Sequence, residues 1–509
     1  MPEQNYTSQA IPLSFRTHGG GLNTTASPIE LAKNESPDLQ NTDFDKFGSF
    51  LKRNGYAQLN TSAANSGATW TSLHWLQLSS GTDYIMGTCG NKLMKQDALD
   101  GTWDDVTGAL TITAGNNNHW RWRTYRDTAI GVNGVNVCIK WTGSGNGAVL
   151  TVPTNMDWAK YVEVFRGYTL LANVSISSTV AGSRLYWSTV GTIETWVDAD
   201  NTYIARDDGS DITGLAVLGD KLIIFKEFSI HYGLFTGDRD IPFIFDKTNS
   251  VVGCISGDSI QSVENGLVFQ SQDGFYYFDG NNSYKLSDRI TTTLDEDFDK
   301  SRYANTQSIY QRTKNRYWAT TTTSGGTTNN RCLTWDSSNN AWSRYKGHNA
   351  NCFVIVNTSG QERLYFGDYA GFVYRADTSA NDIPSGVSTA IDSYFYTKWH
   401  DYDDMVNSKG TPHIYAYYRL NSATCTFAYS YDFEDGDTYT QTFSTTGGAA
   451  LYGTAVYGVD TYAGAGGAVT RLDLTGRGRV IRFKFANSTL SEEMQIDGFG
   501  AEAYAETNV

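Results

Sequence analysis

The sequence predicts an all-β protein: a β-propeller of about seven blades with an N-terminal arm and a C-terminal β-sandwich-like domain. Three observations support this class. Glycine (50 residues), tyrosine (32) and phenylalanine (24) are abundant while proline is rare (8), a mixture typical of strands joined by polar turns. Apolar strand starts recur at a regular spacing, and the strand pattern changes after about Pro384.

Chain length predicts more than one folded unit. A single hydrophobic core stops growing at roughly 250–300 residues, and this chain has 509. The predicted division is an arm with a leading hairpin over 1–68, a propeller over 69–384 and a sandwich-like domain over 385–509.

The arm ends in a hairpin within Asn41–Tyr56, NTDFDKFGSFLKRNGY. Gly48 supplies a residue that adopts positive φ easily, and Asn54-Gly55 marks a second turn. The segment between these turns is therefore predicted to be extended and not helical.

The propeller is predicted from a repeat of strand starts. The gaps between successive starts run from 41 to 51 residues, which is the length of a blade of several short strands. The starts are Leu73, Trp120, Tyr161, Ile212, Ile260, Ile309 and Phe353.

Two of the repeat units share the same turn chemistry. Gly219-Asp220, Asn265-Gly266 and Asp273-Gly274 are predicted hairpin turns, because these dipeptides reach positive φ at low cost. The apolar run Leu222–Phe225 predicts a strand covered on both faces.

Tryptophans flank other predicted turns. RLYWSTVGTIETW has Trp187 and Trp196, and LTWDSSNNAWSRY has Trp335 and Trp342, on either side of a polar turn. Aromatic pairs of this kind stabilise hairpins or neighbouring blades beyond their buried area.

The C-terminal part has longer strands with one buried face. In RVIRFKFANS, Ile481, Phe483 and Phe485 alternate with Arg482 and Lys484, as in an antiparallel strand that packs on one side only.

Several classes of protein are disfavoured by composition. No stretch approaches the roughly 18 apolar residues of a membrane helix, and the N-terminus lacks the basic and apolar regions of a secretory signal, so we expect a soluble protein without membrane insertion. The net charge of −15 argues against broad nucleic-acid binding, although an acidic wall would keep a passing duplex from adhering. The six scattered cysteines are expected to be core thiols.

Motifs for catalysis or cofactor binding are absent from the sequence, and neither catalytic residue nor cofactor is predicted. Three acidic clusters, in Asp207–Asp211, Asp295–Asp299 and Asp432–Asp437, lack calcium-loop spacing and are interpreted as solvated turns. A glycosidase carboxylate pair stays open, because carboxylates converge from distant blades. The run from Asp336 to Trp342 is similar to the Asp-box turn of sialidases without its glycine, and that turn is structural.

A strip of alternating aromatic and basic residues begins at Trp120. It reads WRWRTYR, and Arg121 and Arg123 are candidate partner contacts, either to nucleic acid or to an acidic protein. The alternative is an ordinary strand with its aromatics inward and its arginines outward.

The opening block GGGLNTTASPIELAKNESPDLQNTDFDKFGSFLKRNGY resembles the start of β-propeller virion proteins of tailed bacteriophages. The resemblance continues through RLYWSTVGTIETW, GLAVLGDKLIIFKE, VENGLVFQSQDGFYYFDG and GRGRVIRFKF. One departure is Glu35-Ser36-Pro37, where that family more often has glu-ala-pro.

The resemblance implies a non-enzymatic structural protein of the phage tail or neck, made in the host cytoplasm. It implies a hub, nozzle or stabilisation role: a homo-oligomeric ring below the portal and adaptor, in contact with other tail components, through which the double-stranded genome passes during ejection. The hairpin at Asn41–Tyr56 would dock the arm onto the first blade, leaving Lys52 and Arg53 free for acidic partners. Charge reversal at both residues is then expected to weaken assembly and spare the fold.

Two other functions are kept open. A receptor- or glycan-binding tail adhesin would use exposed tyrosines and tryptophans on blade loops. An enzyme of the sialidase or lyase type would need a carboxylate or tyrosine cluster in the central channel.

Overall fold

A computed structural model describes residues 11–15, 18–96, 99–197, 201–358, 360–419, 421, 423–445 and 467–505. The predicted arm before residue 11 lies outside the described residues. Among these residues, no helix is long and apolar enough to cross a membrane. The described part of the chain contains one α-helix, α1, at Thr291–Glu296, and short 3-10 turns at Ala64–Gly67, Gly257–Ser259, Asp288–Ile290, Lys300–Asn305 and Arg312–Lys314.

Short strands dominate the described chain. The first group comprises β1 Ile11–Phe15, β2 Gly21–Leu22, β3 Glu35–Ser36, β4 Leu39–Gln40, β5 Thr42–Phe44, β6 Phe50–Lys52 and β7 Ala57–Gln58. The second comprises β8 His74–Gln77, β9 Asp83–Cys89, β10 Lys92–Gln96, β11 Asp104–Asp105, β12 Arg121–Tyr125, β13 Thr128–Val132, β14 Ile139–Trp141, β15 Ala148–Val149, β16 Met156–Phe165, β17 Tyr168–Ile176, β18 Thr179–Trp187, β19 Thr202–Ile204, β20 Ile212–Leu218, β21 Lys221–Lys226, β22 Ile230–Phe235 and β23 Phe243–Lys247.

The remaining strands follow in the same order. They are β24 Gln261–Val263, β25 Gly266–Ser271, β26 Gly274–Phe278, β27 Ser283–Lys285, β28 Gln307–Gln311, β29 Arg316–Thr321, β30 Arg331–Asp336, β31 Ala341–Lys346, β32 Cys352–Thr358, β33 Gln361–Gly367, β34 Val373–Arg375, β35 Asn381–Asp382, β36 Thr389–Ala390, β37 Ser393–Tyr396, β38 Lys409–Gly410, β39 His413–Arg419, β40 Thr424–Tyr431, β41 Tyr439–Ser444, β42 Gly467–Asp473, β43 Ile481–Asn487 and β44 Gln495–Ala505.

The chain forms two compact units. Unit 1 comprises residues 1–57, 333–346 and 377–509, and unit 2 comprises 58–332 and 347–376. The boundaries predicted from the sequence, at residues 68 and 384, differ from these bounds. Residues 18–57 therefore belong to the same unit as the C-terminal segment.

Unit 2 is a β-propeller. Five successive four-stranded antiparallel sheets run β8–β11, β12–β15, β16–β19, β20–β23 and β24–β27. They are followed by the hairpin β28–β29 and by the antiparallel strands β32, β33 and β34. The first strands are neighbours around a ring that closes where β32 contacts β8.

The predicted blade starts are confirmed. Each of the seven lies in the first strand of a sheet or within one residue of it, from Leu73 before β8 to Phe353 in β32.

Successive blades share their hydrophobic cores, as the covered run Leu222–Phe225 shows. Leu222 and Ile224 pack into the core of the preceding sheet, which includes Leu170. Ile223 and Phe225, on the opposite face, contact the core of the following sheet with Phe269. The prediction of a strand covered on both faces is confirmed, because all four residues are fully buried.

The predicted turn Gly219-Asp220 is confirmed. The other two turns form, but each loop lies one residue earlier than predicted. Leu218 pairs with Lys221, so Gly219-Asp220 forms the loop. In the next sheet Val263 pairs with Gly266, and Glu264 takes the positive φ of 50°. Gly266 lies in β25, and this position requires glycine because a Cβ there would come within 2.4 Å of the Tyr277 ring.

The two tryptophan pairs differ. Trp335 and Trp342 contact each other with ring centroids 6.4 Å apart, as predicted. Trp187 instead packs against Phe243 of the next blade at 5.5 Å, while the indole of Trp196 donates to the carbonyl of Thr151.

Unit 1 contains a β-sandwich. One sheet has the order β42-β39-β44-β6-β5, with β1 and β38 also pairing with β44, and the other has the order β4-β37-β43-β40-β41. N-terminal strands thus enter both sheets. The alternation in β43 is confirmed, since Ile481, Phe483 and Phe485 are buried.

An aromatic cluster joins the two sheets of the sandwich. Phe499 of β44 contacts Phe483 and Phe485 of β43 at 5.3 and 5.8 Å. Phe50 of β6 contacts Phe395 of β37 at 5.6 Å. The sandwich core is therefore built from strands that are hundreds of residues apart.

All six cysteines are buried thiols, as predicted. Burial raises the pKa of Cys138 and Cys254 to about 12, which keeps both thiols protonated at neutral pH.

Candidate functional site: the propeller axis

The first strands of the seven sheets surround a cavity of about 390 Å³ on the axis of unit 2. In propellers the loops and strand starts around the axis bring together residues that are far apart in sequence. Residues from β12, β16, β28 and β32 line this cavity, together with Asp258 of the turn before β24. This cavity is therefore the candidate functional site of unit 2.

An ion pair crosses the axis. Arg121 of β12, in the second sheet, donates through Nε to Asp258 Oδ1 at 2.8 Å and through Nη2 to Asp258 Oδ2 at 2.6 Å. Asp258 precedes the fifth sheet, 137 residues further along the chain. This two-point contact fixes both position and orientation of the guanidinium.

Other groups complete the environment of this pair. Gln307 donates to Asp258 Oδ2 at 3.1 Å, and the Arg121 guanidinium lies over the Tyr161 ring at 4.6 Å. Nδ1 of the buried His119 lies 4.0 Å from the same carboxylate. Burial alone would raise the pKa of Asp258, but Arg121, His119 and the hydrogen bonds together hold that pKa below its ordinary value.

A second ion pair lies beside the first. Arg123 Nε donates to both carboxylate oxygens of Glu163 at 2.9 Å, linking β12 to β16. The Arg123 side chain is 44 % exposed, whereas that of Glu163 is 8 % exposed. On the other side, His74 of β8 is hydrogen-bonded to Thr124 at 2.8 Å, and burial together with Arg123 lowers the pKa of His74 to about 3.

This arrangement is better suited to holding the sheets together around the axis than to acid–base chemistry. Asp258 and Glu163 each accept hydrogen bonds from an arginine. A carboxylate with a lowered pKa is a weak base at neutral pH, and Asp258 is also held in place by three neighbours. Removing either partner would leave a buried charge without compensation.

The structure places Arg121 and Arg123 on the wall of the axial cavity. Trp120 and Trp122 are buried, as the interpretation of an ordinary strand predicts. The two arginines point toward the axis and form ion pairs with residues of the same chain. Their contact with a partner molecule stays a prediction.

Lys52 and Arg53 are not free in the way the sequence predicted. Both side chains are buried in unit 1. Arg53 donates to both oxygens of Asp382 at 2.7 and 2.8 Å. Lys52 donates to Asn487 at 2.7 Å, and burial lowers its pKa to about 8. A basic dipeptide normally lies at the surface, but here residues from the distant C-terminal segment satisfy both cations.

The acidic clusters contact the chain's own cations. Asp207 and Asp208 both contact the buried Nζ of Lys226, and Asp437 contacts Lys484 at 2.7 Å. Within the described ranges, His, Cys, Asp and Glu side chains form no group of three suited to a metal ion.

In the turn from Asp336 to Trp342, the Asp336 side chain stabilises the backbone. Asp336 Oδ1 accepts from the backbone N–H groups of Ser338 and Asn339 at 2.8 and 3.2 Å. Its carboxylate is occupied in holding the turn.

Sequence reasoning missed Asp258 and Glu163. Glu163 lies inside a predicted strand and Asp258 in a three-residue turn, and neither belongs to a motif. The local signal is that Asp258 lies two residues before a predicted blade start, Ile260, where a side chain reaches the axis.

No protein-family model and no curated protein matches the chain. A solved structure similar to it is that of a computationally designed protein, described as "Crystal structure of the computationally designed Ika8 protein: crystal packing No.1 in P63". The match has a TM-score of 0.38 and 12% identity, and it covers 63% of this chain and 99% of that chain.

Proposed function

We propose that this chain is a structural protein of a tailed bacteriophage, located in the tail hub or nozzle below the portal and adaptor. The observation that carries the proposal is the ion pair between Arg121 and Asp258, which uses the polar groups of the propeller axis to cross-link the ring. A propeller locked in this way is suited to transmit load and to present fixed faces to neighbouring subunits. The resemblance of the N-terminal block to propeller virion proteins supports the same role.

The genome would pass through a ring of several copies and not through one propeller. A cavity of about 390 Å³ crossed by an ion pair is far too small for a DNA duplex. Copies arranged around an axis would enclose a wider opening, and the net charge of −15 would discourage adhesion of DNA to its wall.

The test is immunogold labelling of phage particles with antibodies raised against the purified chain. Label on the tail axis near the neck is the expected result. Antibody absorbed beforehand with the purified chain is the control and removes the label. Particles that carry the protein nowhere would overturn the proposal, and label at peripheral fibre tips would favour an adhesin instead.

The oligomeric state gives a second, independent test. We expect mass photometry of the purified chain, alone or with a portal and adaptor complex, to show one closed multimer. A chain that stays monomeric under both conditions contradicts a ring component.

A further inference from the structure

The outer face of the sheet β42-β39-β44 in unit 1 carries two exposed tyrosines in line. Tyr415 and Tyr417 of β39 are 37 % and 48 % exposed, whereas the alternating residues Ile414, Ala416 and Tyr418 are buried. Residues two apart on one strand are separated by about 7 Å, so the two rings form a short row on a flat surface.

The neighbouring strands leave these rings uncovered on one side. Tyr415 pairs with Gly500 and Tyr417 with Gly498 of β44. A Cβ at Gly500 would meet only the carbonyl oxygen of Leu13, at an unstrained 3.7 Å. Neither crowding nor positive φ therefore requires glycine at position 500, and its effect is to keep the Tyr415 ring accessible.

Two Arg–Asp pairs border the row, one on β42 and one between the end of β39 and β44. Arg471 of β42 lies opposite Tyr415 and donates to Asp473 at 2.8 Å. Arg419, beyond Tyr417, lies 3.7 Å from Asp497. The border thus offers hydrogen-bond donors and acceptors with no excess of either charge.

The row continues into a cavity. The ring of His413 contacts that of Tyr415 edge-on at 5.1 Å. His413 also lines a cavity of about 690 Å³, together with Arg477 and Tyr504. A linear ligand lying along β39 would therefore meet a recess at one end and two aromatic rings beyond it.

We propose that this face binds an uncharged saccharide chain of at least two pyranose rings. The apolar C–H face of a pyranose packs on a tyrosine ring, and its hydroxyls need both donors and acceptors at the border, as the Arg–Asp pairs supply. An acidic saccharide would find no excess of positive charge. A protein partner would need roughly 800 Å² of contact on each side, and two half-exposed rings with Val469 give a much smaller apolar area.

The test is affinity electrophoresis of the full chain in native gels that contain dextran, amylopectin, mannan or galactomannan. The wild-type chain is expected to be retarded by at least one of these neutral polysaccharides. The variants Tyr415→Ala/Tyr417→Ala and Gly500→Val are each expected to bind roughly tenfold more weakly. Gly500→Val keeps both tyrosines and fills the open side, so it tests the site even if the double variant fails to fold.

The matched control is Tyr284→Ala, which removes an exposed tyrosine from unit 2 and is expected to leave retardation unchanged. Absence of retardation in every neutral gel overturns the proposal, as does equal retardation of all variants. Retardation by alginate or hyaluronan alone overturns the assignment to a neutral saccharide. Self-association of the wild-type chain that both variants abolish would assign the face to a second copy and also overturn it. The inference is independent of the proposed tail location.

Discussion

The propeller axis of unit 2 and the surroundings of His18 in unit 1 hold their buried titratable groups in opposite ways. On the propeller axis, Asp258 is compensated by Arg121, His119 and Gln307. In the sandwich, His18 is fully buried between the rings of Phe395 and Phe499, at 5.0 and 6.0 Å, and within the described chain neither ring nitrogen has a hydrogen-bond partner. The axial site is stabilised by the pairing of Asp258 with Arg121, whereas the site in the sandwich requires an uncharged His18.

The difference predicts separate responses to acid. Burial lowers the pKa of His18 from 6.5 to about 4, so folding favours its neutral form. Stability from this group is complete above pH 6.5 and falls as the pH drops from 6.5 to about 4. The pKa of Asp258 is lowered against an ordinary value of 3.8, so its contribution is lost only at more acidic pH. The contribution of His18 should therefore be lost at a higher pH than the contribution of Asp258.

The largest expected effect concerns the charge pair inside unit 1. Arg53→Glu would place a carboxylate beside the buried Asp382, and we expect a loss of at least about 5 kcal/mol in the free energy of unfolding. Hydrogen exchange measured by mass spectrometry should show deprotection of β43 and β44 while β20 to β26 stay protected. This replaces the earlier expectation that charge reversal at Lys52 and Arg53 spares the fold, because both side chains are buried.

The axial pair is tested next. Asp258→Ala leaves the Arg121 charge buried without its partner and should cost about 3–5 kcal/mol in urea unfolding of unit 2. The double variant Arg121→Met/Asp258→Leu removes both charges and should recover most of this loss. Equal destabilisation by the single and double variants would show that packing, and not pairing, holds the axis.

The buried His18 gives a smaller, pH-dependent effect. As the pH falls from 6.5 to 5, the free energy of unfolding of the wild-type chain should decrease by on the order of 2 kcal/mol because of His18. The variant His18→Leu should lack this decrease. Exchange protection of β37 and β43 at the two pH values measures it. The buried His400, whose pKa burial lowers to about 3, keeps its own contribution in both proteins.

A half-exposed histidine in the same unit serves as control for this prediction. His413→Leu should leave the difference in protection between the two pH values as in the wild-type chain. A His18→Leu chain with the full wild-type pH dependence would show that His18 does not cause this dependence.

The smallest effect is expected at an exposed ion pair of the propeller. Lys92 and Asp105 are 2.8 Å apart, with side chains 38 % and 43 % exposed. Lys92→Ala should change the free energy of unfolding by less than about 1 kcal/mol, because solvent screens the pair. A loss as large as that of Asp258→Ala would remove the distinction between surface and axial pairs.

The propeller was predictable because its signals are local. Each blade begins with an apolar strand, and two-residue turns such as Gly219-Asp220 follow from the chemistry of the turn itself. The axial site was not predictable, since Arg121 meets Asp258 only after the ring has closed.

The same limit explains the error at Arg53. Its partner Asp382 lies 329 residues away, and a Lys-Arg dipeptide has the composition of a surface turn. Likewise, the sequence placed the leading hairpin beside the propeller, whereas β6 pairs with β44 in the sandwich. Long-range strand pairing has no signature in either segment alone.

The pairing of β1 with β44 imposes an order on biosynthesis. Ile11 lies opposite Ala503, so this strand emerges from the ribosome long before its neighbour exists. At about 5–20 residues per second, the delay is on the order of 25–100 seconds. The propeller strands are complete before then, and β1 waits for β44 until translation has almost finished. For this chain, a nonsense mutation before β44 would release a translated propeller attached to strands that have lost their partner.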